Sequence, residues 1–277
     1  MTAAYFPGLG MTLPEKVDMA IETFRTFIPA DGQPYWGAFS GGKDSCVIKE
    51  LARLAEVPIE WYYNVTTVDP PELVYFIRQH HKDVKFIYAP KPMWKMAIDK
   101  HLPTGKSRWC CEVYKENKTP KDRRLVVGVR VAESKKRAER WRVFMHDKGS
   151  CSKVAPILYW TDDDIWTFIR GRGLPYCKLY DEGFKRLGCV MCPLARSKMK
   201  SDAARWPKIA DKWRKTCDIV HQIYINKNKE HLKKWPTSDS LWEWWTGIQE
   251  GDAEPEECQG LSLLSDEDDD LQQDGER

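Results

Sequence analysis

Residues 35–54 read YWGAFSGGKDSCVIKELARL, an aromatic, strand-like run that passes through two glycines and a lysine into a helical pattern. A strand-to-helix turn leaves the first helical N–H groups without backbone partners and presents the positive end of the helix dipole, so it attracts anions. Gly41 and Gly42 let the backbone approach phosphate oxygens, Lys43 adds a positive charge, and Ser40 and Ser45 add hydroxyl donors. Gly37, Gly42 and Lys43 nearly fit the G-x-x-x-x-G-K-[ST] phosphate loop, which needs a hydroxyl after the lysine for magnesium. Asp44 stands there instead, and Gly37 falls inside the expected strand, so that assignment fails on chemistry.

Outward from this turn, strand-like stretches at 35–39, 59–64, 84–89 and 124–129, with a short fifth at 153–158, alternate with helical patterns at 45–56, 72–81 and 92–101. The alternation predicts an α/β fold: an open, mostly parallel sheet with helices on both faces. A helix is expected over 15–28, where Val17, Ala20, Ile21, Phe24, Phe27 and Ile28 share one face. Thr161 reads as the N-cap of a helix over 162–173, whose Asp run suits a positive helix end. From 198 to 234 the pattern is helical and basic, Pro236 stops it, and 238–247 reads as a last short helix. The expected division is an N-terminal helical segment (1–33), a nucleotide-binding α/β domain carrying paired cysteines (34–197), a helical region (198–249) and a disordered acidic tail (250–277).

Composition limits the function classes. Charged residues make up 31% of the 277, and mean hydropathy is −0.60. No apolar run approaches the ~20 residues of a membrane span, and the first residues show no secretory pattern. Nine cysteines in such a chain favour reduced thiols in metal or redox use, and a cytoplasmic location is expected. Residues 250–277 hold 12 of the 41 acids and one of the 44 bases, which leaves the body with 43 bases against 29 acids. A body that basic suits nucleotides or nucleic acid.

Two cysteine pairs stand out, Cys110-Cys111 and, 78 residues on, Cys189-x-x-Cys192. Neither lies in an apolar run, and both have bases nearby, which favours the thiolates that ligate metals. Four thiolates hold either zinc or an iron–sulfur cluster. Cys46, Cys151, Cys177 and Cys217 read as packing thiols.

The turn SGGKDS (40–45) resembles the signature of the PP-loop family, whose members cleave ATP between the α- and β-phosphates. RWCCEVYKENKTP, VVGVRVAESKKRAER, PILYWTDDDIWTFIRGRGLPYCKLYDEGFKRLGCVMCP and the terminal WEWW, spread over roughly 35 to 247, look like the phosphoadenosine phosphosulfate (PAPS) reductase family. That resemblance implies a site holding adenine nucleotide on Ser40, Gly41, Gly42, Lys43, Asp44 and Ser45, with Lys43, Asp44 and Arg130 in catalytic roles. Arg130, Glu133, Ser134 and Arg137 complete a family pattern, G-x-R-x-x-E-S-x-x-R, after a strand, where an arginine fork pairs with phosphate or sulfate. Asp69, in TTVDPPE after the second strand, stands at another nucleotide-lining position. Cys110, Cys111, Cys189 and Cys192 are similar to the ligands of members carrying a [4Fe-4S] cluster, among them adenylylsulfate reductases and DNA phosphorothioation ATP pyrophosphatases; zinc is the runner-up.

Two reactions then compete. An intact SGGKDS implies ATP with magnesium, and hence adenylylation of an acceptor, nucleic acid among the candidates, for sulfur transfer from a donor such as a cysteine desulfurase. The alternative is reduction of PAPS or adenylylsulfate (APS) to sulfite with thioredoxin. That chemistry needs a nucleophilic thiol, and Cys258 in EECQGL departs from the reductases' Glu-Cys-Gly-Leu-His segment and lies among acids that disfavour a thiolate. A non-enzymatic regulator binding nucleotide and nucleic acid is a third expectation.

Overall fold

The computed structural model describes residues 10–146 and 151–248. It contains six strands: β1 (Tyr35–Ala38), β2 (Ile59–Asn64), β3 (Val84–Ile87), β4 (Leu125–Val126), β5 (Phe144–Met145) and β6 (Lys153–Val154). They form one sheet in the order β3-β2-β1-β4-β6-β5, parallel throughout except for the β5–β6 pair at the edge. The helices are α1 (Leu13–Thr26), α2 (Lys43–Ala55), α3 (Pro71–His80), α4 (Met93–Asp99), α5 (Trp109–Tyr114), α6 (Lys135–Arg140), α7 (Asp162–Arg172), α8 (Met199–Arg205), α9 (Pro207–Lys227), α10 (His231–Lys234) and α11 (Ser238–Thr246).

The chain runs from β1 through α2 to β2 and through α3 to β3, then returns across the sheet to β4. Right-handed crossovers in opposite directions put α2 and α3 on one face and α4 and α5 on the other. The direction reverses between β1 and β4, so the loops after those strands diverge and open a crevice at the carboxyl edge, where ligands of such sheets bind. Tyr35, Val47, Leu51, Val154, Ile157, Trp160 and Ile165 are among the buried core residues around this sheet.

Several expected elements shift for physical reasons. The strand expected at 124–129 is ladder-paired only over β4, and of 153–158 only β6 pairs, because residues 155–158 turn toward Trp160. The basic stretch 198–234 breaks into α8, α9 and α10, and Pro207 at the start of α9 forces the first break. Ile28 lies beyond the end of α1 and is exposed, so it is not part of the helix's apolar face. The expected tail at 250–277, with Cys258, lies outside the described residues.

Gly37 sits within β1, opposite Trp61 of β2. A β-carbon there would lie 2.3 Å from the Trp61 ring, so packing of the sheet, and not phosphate binding, demands this glycine. Glu60 of β2 binds across the sheet's lower edge, accepting from Lys85 Nζ at 2.7 Å, Arg123 Nη2 at 2.9 Å and the Tyr62 hydroxyl at 2.9 Å. Lys85 foremost, then Arg123 and Tyr62, hold its carboxyl down to about 2. An unfolded glutamate titrates near ~4.3, so the stabilisation is present above that pH and is lost as pH falls through about 2. Glu60→Gln should cost about 1 kcal/mol near neutrality for this partly exposed network. In urea titrations, its difference from the parent protein should shrink between pH 4 and pH 2.

Candidate nucleotide and cysteine site

The turn between β1 and α2 is built as a cradle. Gly41 adopts φ +71°, and a β-carbon there would meet Leu73 and Ile77 side chains of α3 at 2.7 Å, so conformation and space both require glycine. Gly42 caps α2, and the Ser45 hydroxyl donates to the Gly42 carbonyl at 2.7 Å while lying 3.3 Å from Ser40 Oγ. These contacts fix the first turn of the helix, where backbone N–H groups face the crevice.

Two cations are buried at this edge, Lys43 at 5% and Arg130 at 4% exposure. Arg130 follows β4, and its Nε lies 2.7 Å from Asp44 Oδ1. One oxygen of Asp162, the first residue of α7, reaches both cations: it is 3.0 Å from Lys43 Nζ and 2.9 Å from Arg130 Nη2. Lys43 Nζ also donates to the Lys185 carbonyl at 3.2 Å, and its backbone N–H donates to the Tyr180 hydroxyl at 2.9 Å. Glu133 pairs with Arg137 and lies 3.6 Å from Arg130, and Ser134 caps α6 by accepting from the Arg137 N–H. Burial and then the neighbouring Arg186 and Arg130 charges push the Arg137 pKa below its usual value. Positive charge is therefore crowded here beyond what the carboxylates offset, the electrostatic condition for anion binding.

Beside the cradle lies a cavity of about 400 Å³ whose wall carries Cys110, Cys111, Cys189 and Cys192, with Arg108, Lys115 and Arg186 among them. Cys110 and Cys111 lie in the first turn of α5, after Trp109; Cys189 and Cys192 follow the loop that carries Lys185. The Val190 N–H donates to Val68 O at 2.8 Å and Met191 N–H to the buried Asp202 at 2.9 Å, which pins the second pair. The Cys110 thiol donates to Cys111 and, against burial, Arg108 assists, so the Cys111 pKa is lowered. Burial pushes the Cys189 thiol up, and Lys115 opposes it. Among the described residues no three Cys, His, Asp or Glu side chains stand together as the ligands of a single metal ion. Cys46, Cys151, Cys177 and Cys217 are buried elsewhere, and burial pushes the Cys46 and Cys217 thiols up to about 12.

The crevice thus gathers Ser40, Gly41, Gly42, Lys43, Asp44, Ser45, Arg130, Glu133, Ser134 and Arg137. Asp69 turns instead toward the cysteine side. Its carboxylate accepts from the Thr66 N–H at 2.9 Å, and its charge acts on Lys115 and Cys189. Sequence reasoning missed Asp162 and Tyr180 as members of the site. Asp162 reads as one more acid in a helix-capping run, and Tyr180 sits 137 residues from its partner, beyond the reach of any local pattern.

A mostly parallel α/β sheet bearing an SGGKDS turn at its switch point is the arrangement of the PP-loop class. The phosphoadenosine phosphosulfate reductase domain model matches residues 34–195, and the chain belongs to that family. It is 29% identical to an uncharacterised protein of Methanocaldococcus jannaschii over 235 residues, 76% of this chain and 46% of that protein. It is 28% identical to an adenosine 5'-phosphosulfate reductase of Allochromatium vinosum over 212 residues, 70% of this chain and 82% of that protein. The chain spans less than half the length of the two M. jannaschii proteins it matches. Similar solved structures include a PAPS reductase from Candida auris (TM-score 0.48, 14% identity, 64% of this chain and 93% of that one). A U34-tRNA thiolase from Methanococcus maripaludis with its [4Fe-4S] cluster is also similar (TM-score 0.41, 15% identity, 91% and 86%).

Gly41→Ala should lower unfolding free energy by about 1–3 kcal/mol in urea titrations, from the positive φ and the crowded α3 side chains. Gly42→Ala should cost less. Its β-carbon would meet only the Tyr180 hydroxyl at 3.3 Å and Ser40 Oγ at 3.4 Å.

Proposed function

We propose that this protein is a PP-loop enzyme that holds the β,γ-pyrophosphate of ATP in the 40–45 cradle, cleaves ATP to AMP and pyrophosphate, and adenylylates an acceptor for sulfur transfer. The observation that carries this reading is the complete cradle with two buried cations at its mouth, Lys43 and Arg130. A nucleotide ending in sulfate has no β,γ-pyrophosphate for such a cradle to hold. An acceptor oxygen attacks the α-phosphorus, the bond from that phosphorus to the bridging oxygen breaks, and its electron pair leaves with pyrophosphate. Lys43 and the N–H groups opening α2 stabilise the charge that grows on the leaving group. Arg130 orients the phosphates with its planar fork, and Asp44 offers a carboxylate to the magnesium that accompanies ATP. A sulfur nucleophile then displaces AMP from the activated acceptor.

The four cysteines suit a [4Fe-4S] cluster, with zinc as the alternative. Thiolates around one zinc lie about 2.3 Å from it and so about 4 Å from one another, whereas a four-iron cluster spreads its ligands around a larger body. All four cysteines line one cavity of about 400 Å³. Cys110, Cys111, Cys189 and Cys192 would hold the cluster, which supplies iron for sulfur binding or electron transfer. Arg108, Lys115 and Arg186 on the same wall suit a polyanionic acceptor such as nucleic acid.

Sulfonucleotide reduction is the second reading, favoured by the A. vinosum relative named an adenosine 5'-phosphosulfate reductase. The two give different products. Anaerobically purified protein supplied with ATP and a panel of acceptors should release pyrophosphate, with Lys43→Ala slowing release by about 10²-fold or more. Thioredoxin-dependent sulfite formation from APS or PAPS, lost in Cys258→Ser, would establish reduction instead. The protein should be brown, with visible absorption that disappears in Cys110→Ser; a colourless protein with stoichiometric zinc would overturn the cluster assignment.

A further inference from the structure

We propose that Asp162 is the resident counter-anion of the cradle's two cations, and that a phosphate chain binds by displacing it. The proposal rests on reading the 40–45 turn as a phosphate site. A buried cation without a partner is strongly unfavourable, and Lys43 and Arg130 are both buried. Asp44 serves Arg130 from within α2. Lys43 has one anionic partner among its described contacts, Asp162; the others are neutral, the Lys185 carbonyl and the Tyr180 ring.

The position of Asp162 makes it exchangeable. Its side chain is 58% exposed against 24% for Asp44, so it reaches into the crevice from the solvent side and returns to water on release. Nor does α7 need it as a cap. The Thr161 hydroxyl accepts from the Asp164 N–H, and Asp164 accepts from the Thr161 N–H at 2.7 Å while also pairing with buried Lys16 at 2.6 Å. Asp162 therefore has no structural duty at the helix end that would hold it in place. Its single oxygen between Lys43 Nζ and Arg130 Nη2 occupies the place a phosphate oxygen needs to contact both. Ligand entry exchanges one anion for another, and the two cations are never left bare.

The test is calorimetric titration of the 277-residue chain with inorganic pyrophosphate, with a chelator present to exclude divalent cations. Lys43→Ala should weaken binding relative to the parent protein. Asp162→Asn, which keeps the shape and removes the competing charge, should bind about tenfold more tightly. Asp162→Glu should restore parental affinity, and Asp163→Asn, which changes the same charge on an exposed neighbour, should leave it unchanged. Without ligand Asp162→Asn should melt below the parent protein, and saturating pyrophosphate should close that gap, a pattern that loss of a merely structural contact would not produce. If Asp162→Asn fails to fold, Asp162→Ser serves the same comparison. Parental binding that Lys43→Ala removes, with Asp162→Asn or Asp162→Ser binding no tighter, overturns this proposal alone. Parental protein that does not bind pyrophosphate overturns the phosphate reading of the cradle and this proposal with it.

Discussion

Two positive charges cannot be withdrawn from water at the edge of a sheet unless negative groups come with them, and much of this structure follows from that requirement. Lys43 opens α2 and Arg130 follows β4, so the cations arrive from the two strands between which the chain reverses direction. Their carboxylate partners come from α2 itself and from the start of α7. Three segments far apart in sequence are thereby drawn to one point, and the crevice acquires its shape and its electrostatic character in the same step. The neighbouring Arg137 and Arg186 leave the balance positive.

The cysteine cavity depends on this arrangement without being part of it. Arg186 belongs to both neighbourhoods, lining the cavity and acting on the Arg137 charge. Asp69 does the converse, since its loop follows β2 at the sheet's edge while its charge acts on Lys115 and Cys189. The crevice therefore lies next to four cysteines and a basic wall.

Much of this was legible in the sequence, and the unread parts have separate causes. Alternating strand and helix patterns predicted the parallel sheet because each element is amphipathic over a local stretch. The limits of β2, 59–64, match the expected stretch, and α7 begins at the expected Thr161 cap. The SGGKDS turn announced itself because glycine, lysine and hydroxyl chemistry lie within six residues. The edge strand β5, two residues long, carried no periodic signal. Asp162 was hidden for a different reason. Three consecutive acids at a helix start have one generic explanation, yet the fold gives them separate surroundings: Asp162 meets Lys43 and Arg130, Asp163 faces solvent, and Asp164 meets Thr161 and Lys16. Local pattern shows that acids are tolerated at such a position, but only tertiary placement shows which cation each one answers.

The contact between Lys43 Nζ and the Lys185 carbonyl bears on how such a protein can be rearranged by recombination. The loop ending in Cys189 and Cys192 supplies a backbone oxygen to Lys43, and Tyr180 just upstream supplies a hydroxyl to that residue's N–H. The two sites are therefore not exchangeable modules. A chimera taking residues 35–55 from one relative and 178–192 from another would join a lysine to a loop that evolved around a different one. Viable crossovers should fall outside the interval from β1 to the end of the second cysteine pair, so that interval is expected to be inherited as one block.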